Sequence, residues 1–164
     1  MKRFFSLLLL AVFGFVITSC SDRDNNTVDN DTYSVVYQAT GTFAPNSYEL
    51  YYDFPRTLPN TDMVLVYRLS EVYNGQAVWQ QIPRTVYLTE GELDYDFDFT
   101  VSNVRLFVQA NYDIANTPSD YLVNQTFRML VIPASAGKNA VDLSDYDAVV
   151  KHYNINDKQV IDLK

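Results

Sequence analysis

From residue 33 onward, apolar side chains recur at every second position or in short continuous runs, broken by Pro, Gly, Asn and Asp. A period of two is the mark of extended chain, in which successive side chains point to opposite faces. Eight strands are predicted. Tyr33 to Phe43 places Tyr33, Val35, Tyr37 and Ala39 on one face, and Ser47 to Phe54 sets Tyr48, Leu50, Tyr52 and Phe54 against Glu49, Tyr51 and Asp53. Pro45-Asn46 turns between them. Asp62 to Tyr73 and Gln76 to Ile82 flank Asn74-Gly75, a pair that accepts the positive φ of a type I′ hairpin turn.

Pro83 precedes Arg84 to Thr89, and Glu90-Gly91-Glu92 leads into Leu93 to Thr100. There Leu93, Tyr95, Phe97 and Phe99 are expected to face inward and Asp94, Asp96 and Asp98 outward. Asn103 to Tyr112, with Leu106, Val108 and Ala110, and Asn124 to Pro133, with Phe127, Met129 and Val131, complete the set. The loop Asp113 to Val123 is the longest connection and a natural place for binding. Near the C-terminus the period changes. Ser144 and Asp147 form a capping-box pattern, with Val149 and Val150 beneath a short helix ending near Tyr153. Turns too short for crossover helices oblige the strands to bury their faces on one another. The expected class is all-β: an antiparallel β-sandwich of about eight strands with one short C-terminal helix, the alternative being a β-barrel.

The first residues follow a different logic. Lys2 and Arg3 precede an apolar run, Phe4 to Ile17, and the small pair Thr18-Ser19 precedes Cys20, the order of a cleaved signal peptide. A membrane-spanning helix would need about 20 apolar residues. Ile17-Thr18-Ser19-Cys20 has the aliphatic, small, small, Cys pattern of a lipoprotein processing site, which makes Cys20 the lipid-attachment residue. Residues 1–19 are therefore read as a lipoprotein signal peptide, 20–32 as the lipidated Cys and a flexible acidic tether, and 33–164 as a single β-sandwich domain. Ser21 to Thr32 carries four Asp, three Asn and one aliphatic residue, too little apolar surface to offset chain entropy. Such a tether spans about 20 Å as a coil.

Charge and chemistry narrow the function. Twenty acidic residues against twelve basic give a net charge of −8, and the leader holds two of the basic residues. Nucleic acid is excluded as a partner, since phosphate contacts need clustered Lys and Arg. The expected partners are a membrane, through the lipid anchor, and a protein or glycan. No cofactor is expected. Gly41, Gly75, Gly91 and Gly137 are too scattered for a dinucleotide or phosphate loop, and His152 is the sole histidine. Asp94-Tyr95-Asp96-Phe97-Asp98 lacks the glycine of a calcium loop, and its alternate residues lie about 7 Å apart on a strand. Flat sugar faces pack on aromatic rings, which singles out Tyr48, Tyr51, Tyr52 and Trp79 as ligand-facing candidates.

Asp62 to Leu69, Tyr73-Asn74-Gly75 with Val78-Trp79, Leu93 to Phe99, Gln125 to Arg128 with Val131-Ile132-Pro133, and Asp145 to Val149 together resemble a family of small Bacteroidota lipoproteins. Ser21-Asp22-Arg23-Asp24 likewise resembles their Ser-plus-acidic surface-export signal. Some relatives carry a dihydrolipoamide dehydrogenase label. That activity needs a flavin and a redox disulfide, and this chain has neither a dinucleotide fingerprint nor a second cysteine. The resemblance implies no known activity and no functional residue beyond Cys20. The expectation is a non-catalytic binding or structural module, lipid-anchored at the outer membrane and either periplasmic or surface-exposed. The alternatives are a carbohydrate-binding module or a carboxylate-dependent hydrolase at the cell surface.

Overall fold

A computed structural model describes residues 34–136 and 140–164. Tyr33, Cys20, Gly137 and the segments expected to be the signal peptide and the tether lie outside the described residues. The strands are β1 (Val35–Gly41), β2 (Glu49–Asp53), β3 (Met63–Tyr73), β4 (Gln76–Ile82), β5 (Arg84–Tyr87), β6 (Glu92–Phe99), β7 (Asn103–Ala110), β8 (Gln125–Ile132) and β9 (Val160–Asp162), with helix α1 (Tyr146–His152) before β9. They form two sheets, ordered β4-β3-β8-β1-β9 and β2-β7-β6-β5. Neither sheet closes on itself or on the other, so the fold is a sandwich and the barrel alternative is excluded.

Two cores explain the sequence pattern. Between the sheets lie Tyr37, Ala39, Phe43, Tyr52, Phe54, Val64, Val66, Leu93, Tyr95, Leu106, Phe127 and Met129, among others. On the far side of the five-stranded sheet, Val36, Leu65, Tyr67, Leu130 and Ile132 are covered by Tyr146 and Val149 of α1 and by Ile155. The central strands β3 and β8 are thus buried on both faces, which is why Val64–Arg68 and Met129–Pro133 read as continuous runs and do not alternate. Each such aliphatic or aromatic side chain contributes about 1.5–3 kcal/mol. The hydroxyl of Tyr67 donates to the carbonyl of Leu143 at 2.6 Å and ties the C-terminal segment to the sheet.

The Asn74-Gly75 hairpin forms with both residues at positive φ, 49° and 79°. β8 pairs with β3 only from Met63 to Arg68. Beyond that point β3 and β4 continue as a two-stranded arm, with a bulge between Leu69 and Glu71.

Several details depart from expectation. Six of the seven strand pairings are antiparallel, but β9 joins the edge of the sheet parallel to β1. Val160–Asp162 is too short to show a period, so the sequence conceals it. The helix is capped by Asp145, whose carboxylate accepts from Ala148 N at 3.0 Å. Ser144 lies one residue before the cap, and its hydroxyl donates to Asp142 at 2.7 Å. Phe99 belongs to the inward series yet is 44 % exposed, since β6 outruns the sandwich there and Phe99 stacks only on Phe97. The loop 113–123 is not a free binding loop. It folds into two 3-10 turns, buries Thr117 and Leu122, and accepts hydrogen bonds from Phe43 N at Leu122 O (2.9 Å) and from the Tyr95 hydroxyl at Tyr121 O (2.6 Å).

Candidate functional site: the open face of the four-stranded sheet

α1 covers the outer face of the five-stranded sheet, whereas among the described residues no helix lies on the outer face of the four-stranded sheet. The pairings fix what lies on it. In rows across the strands stand Thr85, Asp94 and Gln109; Asp96, Phe107 and Glu49; Asp98, Arg105 and Tyr51; and, at the margins, Tyr87 beside Glu92 and Asn103 beside Asp53. Six carboxylates thus share the face with one guanidinium. The opposite residues of the same strands, Leu93, Tyr95, Val104, Leu106 and Val108, fill the core, so the alternation that builds the sandwich also builds the face.

Arg105 is the organising residue. Its Nε donates to Asp98 Oδ2 at 3.0 Å, its Nη2 donates to the same carboxylate, and its Nη1 donates to Glu49 Oε1 at 3.2 Å. The guanidinium carbon lies 4.8 Å from the Phe107 ring centre. The Tyr51 hydroxyl donates to Glu49 Oε2 at 2.7 Å, so four side chains on three strands are fixed relative to one another. The bond to Glu49 holds the Tyr51 phenol above its ordinary pKa, and the bond to Asp98 raises that of Arg105. Elsewhere on the face Asp94 accepts from Thr85 Oγ1 at 2.5 Å and Asp96 from Phe97 N at 2.7 Å. The outward Asp94, Asp96 and Asp98 series is as expected. Among the described residues no group of three or more His, Cys, Asp or Glu is placed to hold a metal ion.

The four candidate aromatics do not form one patch. Tyr51 is 62 % exposed and stands on the open face. Tyr52, its neighbour in sequence, points into the core and is buried, so it is not ligand-facing. Tyr48 is half-buried against the same core at a positive-φ position preceding β2. Trp79 lies on the other sheet, half-buried beside Tyr146 with ring centres 5.6 Å apart. It lines a shallow crevice of about 240 Å³ with Ala77, Val78, Ser144, Asp145, Tyr146 and Asp147. The sequence reading missed Tyr87, 77 % exposed, and Arg105 and Phe107. The signal was available: Arg105 and Phe107 alternate with Leu106 and Val108, which the period already placed inside. His152 is exposed at the end of α1 against Tyr153.

No protein family, curated protein or solved structure matches this chain.

Proposed function

We propose that this protein is a lipid-anchored, non-catalytic binding module of the outer membrane, held by Cys20, whose open sheet face docks a partner protein bearing basic residues. The observation that supports this reading is the pre-organised set of Tyr51, Glu49, Arg105 and Asp98 on a sheet face that, among the described residues, no helix covers. Exposed tyrosines supply contact area at low entropic cost. A surplus of carboxylates supplies complementarity to a cationic surface and speeds encounter at low salt. Holding Arg105 between two acids keeps those acids aimed without neutralising the face.

The test is capture of partners from the membrane fraction of cells that make the protein, comparing the unaltered chain with Tyr51→Ala/Tyr87→Ala. The reading expects a specific partner that releases as salt is raised and is lost in the double variant. Retention by the variant, or indifference to salt, contradicts it.

A second reading, glycan binding, draws on the Trp79 and Tyr146 rings in a crevice also lined by Asp145 and Asp147. It predicts that neutral oligosaccharides alter Trp79 fluorescence, and an unchanged spectrum across a glycan panel contradicts it.

A further inference from the structure

Among the described residues, Arg68 is the one charged side chain in the buried class, at 6 % exposure. It ends the inward series Val64, Val66, Arg68 on β3. Its Nε donates to Gln125 Oε1 at 2.8 Å, and its guanidinium carbon sits 4.3 Å from the centre of the Tyr95 ring. Both supports are themselves fixed. Gln125 Nε2 donates to the carbonyls of Asp120 and Val123 at 2.9 and 2.8 Å, and the Tyr95 hydroxyl donates to Tyr121 O.

What is missing is a counter-charge. In a chain with twenty acidic residues, none pairs with Arg68 among the described residues. Burying a charge that lacks an opposite partner opposes folding, and desolvation holds the Arg68 pKa below its ordinary value. The Nη1 and Nη2 groups make no hydrogen bond to the described residues. Every sealed side-chain nitrogen and oxygen among those residues has a partner, so each Nη keeps some contact with solvent.

The strand pairings place a second arginine next to Tyr95. Arg84 stands opposite Tyr95 on β5, and Gln80 stands opposite Arg68 on β4. Directly opposed residues on one face have Cβ atoms within about 5.5 Å of each other. Arg84 is exposed and has no acidic partner among the described residues.

We propose that Arg68, with Arg84 beside it, binds the carboxylate of a small organic acid or uronic sugar at the sandwich edge where β4 passes into β5. With Nε committed to Gln125, the free donors are the two terminal nitrogens, whose parallel N–H vectors match the two oxygens of a carboxylate. Tyr95 holds the guanidinium in plane from below, Gln80 offers an amide to the same group, and Arg84 adds the second positive charge. The site lies between the sheets, apart from the open face, and does not depend on that face having a partner.

The experiment follows the arginine Nε–H resonances of the full chain in detergent by nitrogen-15 NMR, titrating sodium glucuronate, sodium acetate and inorganic phosphate in turn. Saturable shifts of the Arg68 resonance with both carboxylates are expected. Affinity, followed in the variant on the Arg84 resonance, should fall about tenfold or more in Arg68→Met, which replaces the guanidinium with an apolar chain. Should that variant fail to fold, Arg84→Gln at its exposed position decides, by a smaller loss of affinity with an unchanged spectrum elsewhere. Absence of saturable carboxylate binding, equal binding by the folded variants, or a response to phosphate alone overturns the proposal.

Discussion

The guanidinium of Arg128 lies 4.5 Å from the centre of the Trp79 ring, packing β8 against β4 on the face that α1 covers. The same side chain donates from Nη1 to the Tyr146 hydroxyl at 2.5 Å and from Nε to Gln38 Oε1 at 3.3 Å, and pairs with Asp157 at 3.6 Å. One side chain therefore joins β8, β1, β4, the helix and the segment after it. A cation over an indole and a charge-assisted hydrogen bond contribute about 1 kcal/mol or more each when partly desolvated.

Arg128→Met should accordingly lower stability by about 1–3 kcal/mol, read as a fall in the urea midpoint at unchanged slope. Trp79→Ala should cost at least as much, because it removes packing as well as the stacked cation. An unchanged midpoint in Arg128→Met would mean that the helix is held by apolar contacts alone.

Alkaline pH should unfold the protein through its buried phenols. Burial raises Tyr67, Tyr95, Tyr146 and Tyr52 above the ordinary value of 10.0, with Tyr95 pushed up to about 12. The unfolded chain then releases protons at lower pH than the native one, so the native state binds more protons and stability falls as pH rises. The contribution is complete below pH 10 and is lost between pH 10 and 12 for Tyr95. Phenolate absorbance should show a late class, Tyr67, Tyr95 and Tyr146 among it, that ionises only as tertiary structure is lost. Tyr67→Phe should weaken the pH dependence above 10, at the cost of about 1 kcal/mol for the orphaned Leu143 carbonyl. A single smooth ionisation with no late class contradicts this.

How far the chain could be read from its sequence follows from which period each segment kept. β6, exposed on one side and buried on the other, alternates Leu93, Asp94, Tyr95, Asp96 as its sequence reads, and departs from the reading at Phe99, which is exposed. β3 and β8 lost their alternation because α1 covers their second face, and the capping pattern before Val149 and Val150 announced the helix that does so. β9 was invisible because three residues carry no period, and its parallel pairing with β1 depends on the whole intervening chain. The open face was half legible. The Asp94, Asp96 and Asp98 series stood out, whereas Arg105 and Tyr51 acquire meaning only from the register that sets them side by side. Tyr51 and Tyr52 could not both face a ligand, since adjacent strand residues point opposite ways. Arg68 shows the converse: only tertiary packing reveals that no acid reaches it.

Lipidation at Cys20 predicts that cells fed an alkyne fatty acid incorporate label into the unaltered chain and none into Cys20→Ala. The variant should also leave the membrane fraction. Equal labelling of the variant would place the acyl chain elsewhere and remove the basis for the anchor.

The central claim, that the open sheet face is where this protein meets its partner, is tested most directly by photo-crosslinking in the cells that make it. A photoreactive phenylalanine analogue replaces Tyr51 on the open face or, as a control, Tyr73 on the projecting hairpin; both positions are more than 60 % exposed. The account predicts a discrete crosslinked species from position 51, weaker when Arg105→Glu is added, and none from position 73. Crosslinks from position 73 alone, or equally from both, would contradict it.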